Sequence, residues 1–81
     1  MSHPKIFADF HNADSQSRVR LNCTGTAYDL NRKNINLQAG LVLTIYSEEL
    51  EAEGVVEFSE EESLWVARID WDAITTNESA H

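Results

Sequence analysis

The stretches LEAEGVVEF (50–58) and LWVARIDW (64–71) limit the fold more than anything else in the chain. In both, charge and apolar character alternate residue by residue. That is the two-residue period of a strand with one wet face, and a 3.6-residue helix would scatter it. In the first, Ala52, Gly54, Val56 and Phe58 oppose Glu51, Glu53, Val55 and Glu57, so the glutamates go to water. In the second, Arg68 and Asp70 share the wet phase. Trp65, Ala67, Ile69 and Trp71 are left for the inner face. Gly54 inside a strand signals a bulge or a sharp bend.

The same alternation recurs upstream. RVRLNCT (18–24) sets Val19, Leu21 and Cys23 against Arg18, Arg20, Asn22 and Thr24. LVLTIYS (41–47) is apolar enough for a central strand. KIFADF (5–10) is a strand of ambiguous facing, because either phase leaves one phenylalanine on the other side. The clusters HNADSQS (11–17), EE (48–49) and SEEES (59–63) are turns. TAYDLNRKN (26–34) changes period: Thr26 and Asp29 suit a helix start, Ala27 and Leu30 share a face, and Arg32, Lys33 and Asn34 suit its close. Two helical turns cannot cover a five-stranded sheet. The expected fold is therefore mainly β, a small five-stranded antiparallel barrel or strongly bent sheet with one short helix near 26–34. An 81-residue chain makes one domain, read as 1–74, with TTNESAH (75–81) a flexible polar tail.

Read from Leu37 to Tyr46, L-x-x-G-L-x-L-x-x-Y is followed by E-G-x-V (Glu53 to Val56) and W-V-A-x-I (Trp65 to Ile69). This resembles the strand rhythm of SH3-like barrels. The whole chain is also similar to small bacterial proteins of unknown function that end in a W-V-A-x-I-D-W strand. The resemblance implies a fold and no role, because that fold hosts many functions. The aromatic-rich acidic loop and groove pattern of proline-peptide-binding SH3 domains are missing, so that activity is not carried over.

Charge narrows the function. Residues 1–33 carry five bases and three acids, and residues 34–81 one base and eleven acids, for a total of −8. Such a balance disfavours nucleic-acid binding, which needs clustered cations, and suits a basic protein partner. The speculative partner-binding residues are Glu48, Glu49, Glu53, Glu57, Glu60, Glu61 and Glu62 on an acidic 48–62 hairpin, with Trp71 at its margin. The plainer reading of these acids is a solvated, edge-protecting surface. The alternative is an anion patch of Lys5, Arg18 and Arg20, meeting on a first hairpin and serving a nucleic-acid-associated barrel. Its plainer reading is cross-strand ion pairing.

Catalysis has little footing. His11 near Asp14 is a possible acid–base pair, but no nucleophile motif or phosphate-cradling loop is present. The lone Cys23 reads as a small buried hydrophobe. No ligand spacing suggests a metal or cofactor. The expectation is a non-enzymatic interaction module. No apolar run reaches membrane-spanning length and the N-terminus has no leader pattern, so the expected compartment is the cytoplasm.

Overall fold

Leu50–Ser59 forms one ten-residue strand on which the sheet is organised. The computed structural model describes residues 3–76. In chain order the elements are β1 (Lys5–Phe7), β2 (Val19–Arg20), α1 (Thr24–Arg32), β3 (Val42–Tyr46), β4 (Leu50–Ser59), β5 (Leu64–Ile69), a 3₁₀ turn (Trp71–Ala73) and β6 (Thr75–Thr76). The strand order is β1-β3-β4-β5-β2, with β6 on the first residues of β4. The sheet curls into a half-barrel, and the protein is mainly β with one nine-residue helix.

The period-2 reading holds through β3, β4 and β5. Leu43, Ile45, Ala52, Val56, Ala67 and Ile69 join Ile6, Ala8, Phe10, Val19 and Leu21 in one buried cluster. Glu51, Glu53, Val55 and Glu57 lie on the outer face, as their phase requires. The facing of residues 5–10 is settled in favour of Ile6, Ala8 and Phe10, which are buried. Phe7 turns outward and meets the Tyr46 ring edge-on at 5.7 Å.

Three details of the expectation are corrected. The sheet is mixed: β1 runs parallel to β3, with Ile6 opposite Ile45. That geometry needs a long crossover, which residues 8–41 and their helix supply. Strand β2 is only two residues long, because α1 begins at Thr24 with Cys23 as its N-cap residue. Gly54 makes no bulge. The ladders run unbroken through Leu43, Gly54 and Ile69, and a Cβ on Gly54 would lie 3.0 Å from Ile69 Cγ2 and 3.2 Å from Ile45 Cγ1. The glycine is there for close approach. Of the stretch 75–81, Thr75 and Thr76 form β6 and pair with Glu51 and Leu50. Residues 77–81 lie outside the described residues.

The helix buries a polar face. Thr26 and Asp29 are buried, Leu30 is half-buried, and Ala27 is exposed. The reason is the open edge of β1. Ala8 N–H and the Pro4 carbonyl bond to β3, so Phe7 and Lys5 aim their backbone groups the other way. There the Phe7 N–H donates to Asp29 Oδ2 at 2.9 Å, the Thr26 hydroxyl donates to the Phe7 carbonyl, and Lys33 Nζ donates to the Lys5 carbonyl. Thr26, Asp29 and Lys33 are spaced three and four apart, which places them on one helix face. Asn34 closes the helix at φ 58, the left-handed position expected of it. The edge is thus satisfied by side chains, which removes a site for strand-on-strand pairing.

Asp29→Ala is expected to leave the Phe7 amide and the Tyr46 hydroxyl without their partner and to cost about 1–3 kcal/mol. Urea unfolding measures the loss, and light scattering detects association through the uncovered edge. Gly54→Val is expected to destabilise by about 1–3 kcal/mol through overpacking, with the denaturant slope unchanged.

Candidate functional site: an acid-rimmed groove

Ion pairing sorts the charged residues before any site can be assigned. Arg18, expected to face water, is 7% exposed. Its guanidinium holds Asp14 at 2.8 Å and Glu57 at 3.0 Å, and Glu57 also takes Arg68 at 2.7 Å. Arg20 forms a two-pronged pair with Glu62, at 2.7 and 2.8 Å. Val66, opposite both Arg20 and Glu57 in register, is fully buried on this outer face. The stems of the surrounding charged side chains supply the cover for such a residue. Lys5 sits on the other edge strand and pairs with Glu51 at 3.2 Å. The first hairpin expected to join Lys5 to Arg18 and Arg20 does not form, since β1 pairs with β3 and β2 with β5.

The carboxylates respond to these partners. The Arg68 and Arg18 guanidinium groups hold Glu57 below its ordinary 4.5, and Arg20 does the same for Glu62. Burial alone would raise Asp14. The Arg18 and Gln16 amides and the Arg18 guanidinium outweigh it and keep the carboxyl below its ordinary 3.8. Burial would also raise Asp29, but the Tyr46 hydroxyl and the Phe7 amide prevail and lower it. The Tyr46 hydroxyl is raised in turn, first by its hydrogen bond to Asp29.

The acidic 48–62 hairpin is therefore not a single face. It is one strand with a turn at each end. Glu57 and Glu62 are committed to arginines, Glu51 to Lys5, and Glu53 lies 3.1 Å from His3 Nε2. Glu48 and Glu49 stand exposed at the β3–β4 turn, and Glu60 and Glu61 at the β4–β5 turn. Among the described residues none of these four enters an ion pair.

Glu48 and Glu49 edge a solvent-open groove of about 630 Å³. Phe7, Phe10 and Leu50 give it apolar walls. The first turn of α1, Cys23 to Gly25, forms one side, and Asp9 and His11 complete the rim. Gly25 allows the helix to lie on the Phe7 ring, since a Cβ there would fall 2.6 Å from Phe7 Cδ1. The turn is fixed by Ser47, whose N–H donates to the Leu50 carbonyl and whose hydroxyl accepts from the Leu50 N–H.

The groove brings His11 and Cys23 into one place, though not into contact chemistry. The His11 side chain is 96% exposed, with Nδ1 3.8 Å from Asp9. The Cys23 thiol sits 3.0 Å from the Thr26 hydroxyl and is half-buried, not enclosed as expected. Asp14, proposed as the partner of His11, is held by Arg18 instead. Among the described residues no group of three or more His, Cys, Asp or Glu side chains is placed to hold a metal ion. No helix there is long and apolar enough to cross a membrane.

Trp71 lies beyond the end of β5, which stops at Ile69. Asp70 accepts the Asp72 N–H and caps the 3₁₀ turn, so Trp71 leaves the strand's inner phase. Its indole N–H donates to the Ser17 carbonyl at 2.7 Å and its ring meets Phe10 at 6.3 Å, while 40% of it stays exposed. It ties the 14–18 turn to the back of the groove's Phe10 wall.

The Asp9, Phe10 and Leu50 contributions were missed in the sequence. The available signal was the second aromatic of KIFADF, which no single strand face could absorb. Comparison with protein families, curated proteins and solved structures found no match to this chain.

Acid unfolding follows from the lowered carboxyls. Asp14, Asp29, Glu57 and Glu62 bind protons more weakly when folded than when unfolded. Their contribution is complete above their ordinary values of 3.8 to 4.5, and it is lost as pH falls through the lower folded values. Tyr46 acts oppositely: its raised hydroxyl contributes below its ordinary 10.0 and loses that contribution as pH rises past it. Thermal melts across pH are expected to show a plateau at neutrality falling on both sides. Arg18→Met should flatten the acid limb.

Proposed function

We propose that the chain is a small acidic, non-enzymatic interaction module of SH3-like design. It works in the cytoplasm and binds a basic protein surface through the 47–50 turn and the groove beside it. The observation that carries the reading is the pairing of apolar walls, Phe7, Phe10 and Leu50, with two acids, Glu48 and Glu49, that no base among the described residues neutralises. An apolar side chain of the partner enters the groove, and lysines or arginines beside it meet the rim. Nucleic-acid association through Lys5, Arg18 and Arg20 draws less support, because each is paired with a carboxylate.

Isothermal titration with a lysine-rich peptide carrying one central leucine tests this. Binding is expected to weaken as salt rises from about 50 to 300 mM. Replacing the leucine by alanine should weaken it, and Glu48→Lys with Glu49→Lys should reduce it by at least about tenfold. Affinity indifferent to salt and to both reversals would sink the proposal.

A further inference from the structure

The far end of β4 carries a second arrangement that the groove does not use. Phe58 and Trp65 face each other across β4 and β5, one register step beyond the last buried inner pair, Val56 with Ala67. Their ring centroids are 5.1 Å apart and their planes meet at 77°. Trp65 is half-buried against the core, but Phe58 is 44% exposed although it is on the inner phase. The two rings make an edge-to-face corner at the far end of β4 and β5, and the Phe58 side of it is open to solvent.

The turn that leaves this corner is acidic. Glu62 is taken by Arg20, and its N–H donates to the Ser59 hydroxyl, while Ser63 holds φ 57 without being glycine. Glu60 and Glu61 are exposed, and among the described residues neither enters an ion pair. Aromatic ring faces are electronegative, and so are carboxylates. Together at one end of the β4–β5 hairpin they favour a cation over phosphate. A guanidinium can lie flat on a ring while its edge N–H groups reach a carboxylate.

We propose that Phe58, Trp65, Glu60 and Glu61 form a second contact site, which takes an arginine or lysine side chain of a basic partner. It sits at the opposite end of β4 from the groove, about 30 Å away along the strand. Two such sites on one rigid strand grip separated basic positions of one partner, and the second contact strengthens the first without new area at the groove.

Tryptophan emission tests the site directly. In a Trp71→Phe protein, Trp65 is the only indole. Hexa-arginine is expected to change its emission saturably. Phe58→Ala should weaken that binding by about two- to fivefold, the range expected of an exposed cation–π contact. Glu60→Gln with Glu61→Gln, at exposed turn positions, should weaken it too, and this variant keeps the test valid if Phe58→Ala fails to fold. No emission change at millimolar hexa-arginine, or an equal change with oligothymidylate, overturns the site. So does loss of the response in Glu48→Lys, Glu49→Lys protein, since the peptide would then be reading net charge alone. A retained Trp65 response alongside failed groove binding leaves this site standing and removes the groove.

Discussion

The Asp29 carboxylate is the contact on which the architecture turns. It accepts the Phe7 amide and the Tyr46 hydroxyl, so one group joins the helix, the edge strand β1 and the neighbouring strand β3. Those hydrogen bonds lower its pKa against the pull of burial, which makes it a charged and fully satisfied group at the seam. Lys5 and Lys33 lie within 6 Å of the Tyr46 ring centroid, at 5.9 and 5.8 Å, and add cation–π attraction around it. A two-turn helix has too little apolar surface to dock by burial alone. This one docks by completing an edge that would otherwise expose unpaired backbone groups. The position of α1 then sets one side of the groove.

The arginines do comparable work on the outer face. A half-barrel of this size leaves its convex side to water, and Val66 would be exposed there. Arg20 and Glu57 flank it in register, and among the described residues no buried side-chain nitrogen or oxygen lacks a partner. The Arg18–Asp14 pair is almost fully enclosed, with side chains 8% and 3% exposed. Burying such a pair adds little net stability, but removing one partner strands the other. Its evident effect is geometric: Asp14 also accepts the Gln16 and Arg18 amides and shapes the turn that Trp71 ties down.

The parts of the fold that were legible in the sequence obey local rules. Alternation gave the facing of β4 and most of β5, apolar character gave β3 its central place, and Asn34 gave the helix end. The parts that were not legible depend on partners distant in the chain. Nothing near Lys5–Phe7 reveals that its neighbour is β3 in parallel, because that pairing is chosen by a crossover of more than thirty residues. Thr26 and Asp29 looked like cap residues because short polar side chains usually serve the local backbone. Here they serve a strand about twenty residues away. Glu57 and Glu62 read as solvated acids, since the arginines that claim them stand 39 and 42 positions earlier. The candidate groove was hidden for the same reason: its walls come from β1, α1 and the β3–β4 turn.

Charge commitment turns an acidic composition into a specific surface. The net charge of −8 does not say where charge is available on the surface. Among the described residues, subtracting the internally paired acids leaves Glu48 and Glu49 at one end of β4, Glu60 and Glu61 at the other, and Asp70 and Asp72 around the 3₁₀ turn. An acid beside an apolar wall is desolvated by whatever docks there, and that desolvation costs free energy unless the arriving group is cationic. On the proposed reading, the feature that attracts a basic partner also discriminates against neutral and anionic ones. The rigid ladder of β4 fixes the spacing at which both ends can be met.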